Sequence, residues 1–107
     1  MKFEFNARRV REIEQKYGNQ SVVNIIGGEM TTQRITDFIR VAGVREDGQV
    51  GGITADQASD ELDRVLEAEQ TTVQELTVDV MDGLMARGFL PKMDTETIRE
   101  AVRNPEM

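Results

Sequence analysis

Thr54 and Gln57 stand three residues apart, directly ahead of Ala58, Leu62, Val65 and Leu66. A threonine hydroxyl and a glutamine amide at that spacing each satisfy a free N–H at the start of a helix. The apolar residues behind them fall on one face of a 3.6-residue repeat. The same grammar recurs along the chain and leaves it little choice but packed helices. Asn6 caps a helix over 7–17, where Phe5 and Val10 have the spacing of a hydrophobic staple; Val10, Ile13 and Tyr17 share one face, and Gly18 closes it. Ser21 caps a short apolar turn, VVNII, which Gly27 and Gly28 end. Thr31 or Thr32 starts a helix bearing Ile35, Phe38, Ile39 and Ala42, and Gly43 terminates it. Thr72 and Glu75 repeat the capping box ahead of Val73, Leu76, Val80 and Leu84, with Met81 beside that face and Gly88 at the end. Asp94 caps a last short helix with Ile98, Ala101 and Val102, and Pro105 bars its continuation.

The expected fold is all-α: a small single-domain bundle of about five helices, two of them short. Phe3 and Phe5 alternate with Lys2 and Glu4, which predicts a short extended N-terminal segment. The longest loop is VREDGQVGGI, residues 44–53, with turn formers at Asp47, Gly48, Gly51 and Gly52. Residues 1–92 are expected to form the helical domain, and 93–107 an acidic short helix and mobile tail.

Composition removes several classes of function. Apolar residues at 38% are too many for a disordered chain, and 107 residues suffice for one modest core. Cysteine and histidine are both absent, so there is no disulfide, no thiolate metal site and no imidazole base. No apolar run is long enough to span a bilayer, and MKFEFNARRV lacks the apolar segment of a secretion signal; a soluble cytoplasmic protein is expected. The charge is lopsided, with eight basic and five acidic residues in 1–45 against five and fifteen in 46–107. Arg8, Arg9, Arg11 and Lys16 are diluted by Glu12 and Glu14, so no nucleic-acid interface is expected. The acidic half serves solubility or a basic protein partner.

The chemically suggestive stretches fare poorly. A calcium loop begun at Asp47 puts Gly52 at the sixth position, where such loops turn sharply. Gln49, Gly51 and Ala58 then occupy the third, fifth and twelfth positions, which should donate oxygens. Asp56, Asp60 and Asp63 share a helix face, and they read as the wet side opposite Ala58, Leu62, Val65 and Leu66. Ser21 and Ser59 have no histidine to activate them, and no phosphate-cradling glycine motif occurs. Neither an enzyme nor a cofactor or metal site is expected. Apolar binding surface remains. Met30, Met81, Met85 and Met93 are internal methionines, and Met85 with Val78 and Phe89 makes a second apolar stripe beside the core-facing one. Gly83, inside the same helix, implies close approach by another backbone, from this chain or from a partner.

Taken in order, FEFN, ARRVREIEQKYG, SVVNII, TTQRITDFIRVAG, a glycine-bearing loop, ITADQASDELDRVL and ELTVDVMDGLMARGFL cover residues 3–90. This succession resembles the tail assembly chaperones of long-tailed, siphovirus-like bacteriophages and of gene transfer agents. The resemblance implies a protein of the host cytoplasm that coats the tape measure protein, keeps it soluble, helps recruit tube subunits and is absent from the mature virion. In many such phages a programmed frameshift appends a domain that contacts the tail tube protein, and this chain would then be the shorter product. The family carries no catalytic residues. The client surface is expected at Val78, Met81, Met85, Phe89 and Leu90. Homo-oligomerisation stays open. A different class of reading is a structural virion component, such as a head-tail connector or tail-completion protein. A third is a small acidic regulator that covers a basic surface.

Overall fold

Side-chain caps set the helix boundaries. The structure is a computed structural model that describes residues 1–104, so Pro105 lies outside the described residues. It contains α1 (Ala7–Lys16), α2 (Val22–Gly27), α3 (Thr32–Ala42), α4 (Ala55–Ala68), α5 (Val73–Ala86) and α6 (Thr95–Arg103). Asn6, Ser21, Thr31, Thr54, Thr72 and Asp94 each accept a backbone N–H of the first turn behind them. Only the Thr54–Gln57 pair closes a reciprocal box. Thr72 accepts from the Glu75 amide, but the Glu75 carboxylate turns away to the Thr71 hydroxyl at 2.8 Å and to the Arg103 guanidinium. A charged donor competes well with a backbone amide for a carboxylate, so the sequence-expected box at 72–75 is half formed.

The fold is all-α, with six helices rather than five among the described residues. The difference is VVNII, which completes a helix. Its first N–H, on Val22, is accepted by the Glu14 carboxylate of α1 at 2.7 Å, so an orphan donor finds a partner outside the segment. The N-terminal segment is extended as expected. Phe3 bridges Gly43, and the Glu4 amide donates to the Ala42 carbonyl at 2.9 Å. Beyond α3, Val44 bridges Val50 in a tight reversal around Asp47 and Gly48. Gly51 ends this reversal in the left-handed region, and a Cβ there would lie 2.1 Å from the Val41 carbonyl oxygen. Gly51 is therefore a packing requirement rather than loop punctuation.

α3 is the hub and touches α1, α4 and α5. Ile35, Phe38, Ile39 and Ala42 are buried as the stripe predicts, and Phe5 meets Phe38 edge to face at 6.1 Å. Asp37 is also buried, at 3% exposure. Its carboxylate accepts the Tyr17 hydroxyl at 2.5 Å and pairs with the Lys16 ammonium at 3.0 Å, tying the end of α1 to the middle of α3. Burial, and then the bond to Asp37, push the Tyr17 phenol well above its ordinary range.

Gly83 meets this same chain. A Cβ on it would lie 2.6 Å from the Phe3 carbonyl oxygen and 3.2 Å from the Phe5 ring. The close approach inferred from the sequence is thus intramolecular, with the extended N-terminal segment lying across α5.

Candidate partner-binding surface

α5 presents two opposed faces. Leu76, Val80 and Leu84 enter the main core, with Val73 packed against it. Val78 lies about 200° around the helix from Val80, on the side away from that core. It is nevertheless only 1% exposed, and it belongs to no part of the main cluster. Its neighbours on the same face say what covers it. Asp79 and Asp82 receive Arg99 of α6 at 2.9 and 2.8 Å, and Glu75 receives Arg103. Rising numbers on α6 meet falling numbers on α5, so the two helices run antiparallel. Residues 94–104 therefore do not leave the domain as a free tail. They form a cap and a helix docked on the outer face of α5, because oppositely charged side chains at helical spacing line up along both.

This docking revises the five residues expected to form a client surface. Val78 is closed off beneath α6. Leu90, at 6% exposure, belongs to the core. It is carried inward by the end of α5, where Gly88 is left-handed at φ 82° and the Phe89 amide donates to the Leu84 carbonyl at 2.9 Å. That geometry satisfies the last carbonyls of the helix and reverses the chain. Met81, Met85 and Phe89 are half-buried against the core, and the Met85 sulfur accepts the Met93 amide at 3.3 Å. The five do not make one open patch.

Exposed apolar surface lies elsewhere. Among the described residues the large exposed hydrophobics are Val23, at 47%, and Met93, at 38%. Val23 borders an open groove of about 500 Å³ between α1 and α2, floored by Val10, Val22 and Phe89 and edged by Arg11 and Glu14. Nothing in VVNII read as a turn marks this groove, because its exposed side exists only once α2 is a helix. Phe89 is the one expected surface residue that opens here.

Charged groups are largely committed to the fold. Arg9 donates to the Glu4 carbonyl, Lys16 serves Asp37, and Arg40 pairs with Glu12 at 2.9 Å. Asp56, Asp60 and Asp63 are exposed on α4, and no group of three or more acidic side chains among the described residues is arranged to hold a metal ion. Asp47 accepts the Gln49 amide at 2.9 Å and so acts as a turn former. The Arg103 guanidinium, and then the Thr71 hydroxyl, hold the Glu75 carboxyl below its ordinary range. Among the described residues no helix is long and apolar enough to cross a membrane. Comparison with protein-family models, curated proteins and solved structures finds no match to this chain.

Proposed function

We propose that this protein is a tail assembly chaperone of a long-tailed bacteriophage or related particle, acting by binding rather than by catalysis. In this reading it works in the host cytoplasm, coats the tape measure protein before the tube polymerises around it, and leaves before the virion matures. The observation that carries the reading is the order of motifs over residues 3–90, from FEFN through ELTVDVMDGLMARGFL. The all-α fold is compatible with it, since a long amphipathic client is suited to helix-in-groove binding. Many copies on one client would add weak contacts into avidity. A frameshifted longer form would supply the link to the tail tube protein.

Co-expression with the tape measure protein encoded beside it tests the reading. The client is expected in the soluble fraction only when this chain is present, and equal insolubility with and without it would sink the proposal. Mass spectrometry of purified virions is expected to find none of this chain; stoichiometric presence would make it a structural component instead.

A further inference from the structure

α6 is attached differently from the other helices. Each of α1 to α5 buries at least two of its own residues, whereas α6 buries none. Its apolar residues Ile98 and Val102 are only half-buried. Its polar attachments to α5 are Arg99 with Asp79 and Asp82, and Arg103 with Glu75. Yet what it covers is fully closed, since Val78 is 1% exposed on the face of α5 opposite the core. The linker from Gly88 to Asp94 includes exposed Pro91, Lys92 and Met93. A helix that buries little of itself while sealing a neighbour's apolar face behaves as a ligand held on a tether.

We infer that the outer face of α5 is a helix-binding groove for which α6 is the internal occupant, and that the groove accepts in trans an amphipathic helix of the α6 pattern, with two arginines along one edge of its apolar ridge. That pattern is two apolar residues at i and i+4, as Ile98 and Val102, each followed directly by an arginine, as Arg99 and Arg103. Charge complementarity selects the occupant. Glu75, Asp79 and Asp82 stand at i, i+4 and i+7 along one side of Val78, so an incoming helix needs its cations along one side of its apolar ridge, as Arg99 and Arg103 are placed on α6. A helix without cations at these two positions would leave Asp82 unpaired, Asp79 with only the N-terminal ammonium at 3.2 Å, and Glu75 with only the Thr71 hydroxyl at 2.8 Å. α6 competes for the same site, so the apparent affinity for any outside helix falls in proportion to the fraction of time α6 is released. The tethered helix thus sets the threshold that a partner must exceed. The inference shares with the chaperone reading only the helix-in-groove mode; its readouts need no client, so either can fail alone.

The test uses the full chain and a fluorescent peptide of the sequence DTETIREAVRN, with peptide binding followed by anisotropy. The wild-type protein is expected to bind weakly. The Arg99→Ala/Arg103→Ala variant, whose own α6 is unlatched, is expected to bind at least tenfold more tightly. Reversing the part of the groove that meets Arg99 with Asp79→Arg/Asp82→Arg is expected to weaken binding of this peptide at least tenfold and to admit one bearing Glu at the Arg99 position alone, since Arg103 still meets Glu75. That charge-swapped recovery excludes simple misfolding of the variant. Hydrogen exchange on the wild-type chain is expected to show the amides of α6 opening faster than those of α5. Equal affinity of the peptide for wild-type, unlatched and reversed proteins would overturn the inference. So would an unlatched variant that forms a dimer with α6 exchanged between copies and excludes the peptide, since the occupant in trans would then be a second copy.

Discussion

Replacing Gly83 by alanine sets two known effects against each other. By helix propensity alone, Gly83→Ala in the interior of α5 should stabilise the protein by about 1 kcal/mol. The structure predicts the opposite sign. The new methyl would lie 2.6 Å from the Phe3 carbonyl oxygen, 3.1 Å from the Phe3 Cβ and 3.2 Å from the Phe5 ring. The first of these is backbone, and it cannot swing aside as a long side chain would. It is pinned by neighbours, because the Glu4 amide donates to Ala42 at 2.9 Å and the Val44 amide donates to Lys2 at 2.9 Å. Phe5 is fully buried and packs edge to face on Phe38 at 6.1 Å. Overpacking of this kind costs about 1–3 kcal/mol, and weakening the two flanking hydrogen bonds adds roughly 1 kcal/mol. After subtracting the propensity gain, the net loss is about 1–3 kcal/mol, or a fall in Tm of roughly 5–20 °C for a domain of this size. Thermal unfolding followed by far-ultraviolet circular dichroism reads this directly. Gly27→Ala is the internal control: Gly27 ends α2 with nothing within 4 Å of a new Cβ, so its substitution should be neutral or stabilising by up to about 1 kcal/mol. If Gly83→Ala raised the Tm as much as Gly27→Ala does, the close packing of the N-terminal segment on α5 would be refuted.

Gly51→Ala should be more damaging than Gly83→Ala, because it combines a left-handed φ of 56° with a Cβ only 2.1 Å from the Val41 carbonyl oxygen; a Tm within a few degrees of wild type would contradict this. Asp37→Ala should lose about 1–3 kcal/mol in urea unfolding, most of it from leaving the half-buried Tyr17 hydroxyl without its acceptor, since the Lys16 ammonium is solvent-exposed, whereas Tyr17→Phe should lose about 1 kcal/mol by leaving the ion pair in place. The carboxyl of Glu75 is held below its ordinary value of 4.5, so the stability it contributes is fully present above that value and is lost as the pH falls through the depressed folded-state value. α6 should therefore loosen on acidification below about pH 4.5, as read from its amide resonances. In Glu75→Gln the helix should be looser already at neutral pH, and that step of the titration should be missing.

Much of this fold was written locally. A cap acts over three residues, so Asn6, Ser21, Thr31, Thr54, Thr72 and Asp94 could be read without knowing what the helices pack against. Apolar spacing likewise marked Ile35, Phe38, Ile39, Leu76, Val80 and Leu84 as core. Local grammar fails where a distant charge intervenes. Glu75 fits a capping box until Arg103 reaches it from α6. VVNII looks too short for a helix until Glu14 supplies its missing acceptor. Asp37 carries no local signal of its burial, because its partners Tyr17 and Lys16 come from the end of another helix.

Val78 marks the division most clearly. Its position off the core stripe of α5 is a fact of helical periodicity, and the sequence alone was enough to set it apart as a second apolar face. Whether that face meets water, a partner or the chain itself depends on contacts between residues about twenty positions apart. Arg99 and Arg103 find Asp79, Asp82 and Glu75 only once the turn after Gly88 has aimed α6 back along α5. Local sequence determined which residues cap, which line up and where glycine must stand, because those interactions act within a turn of helix. Tertiary structure alone decided what covers what, because charge pairing and close packing act between segments whose meeting no single segment encodes.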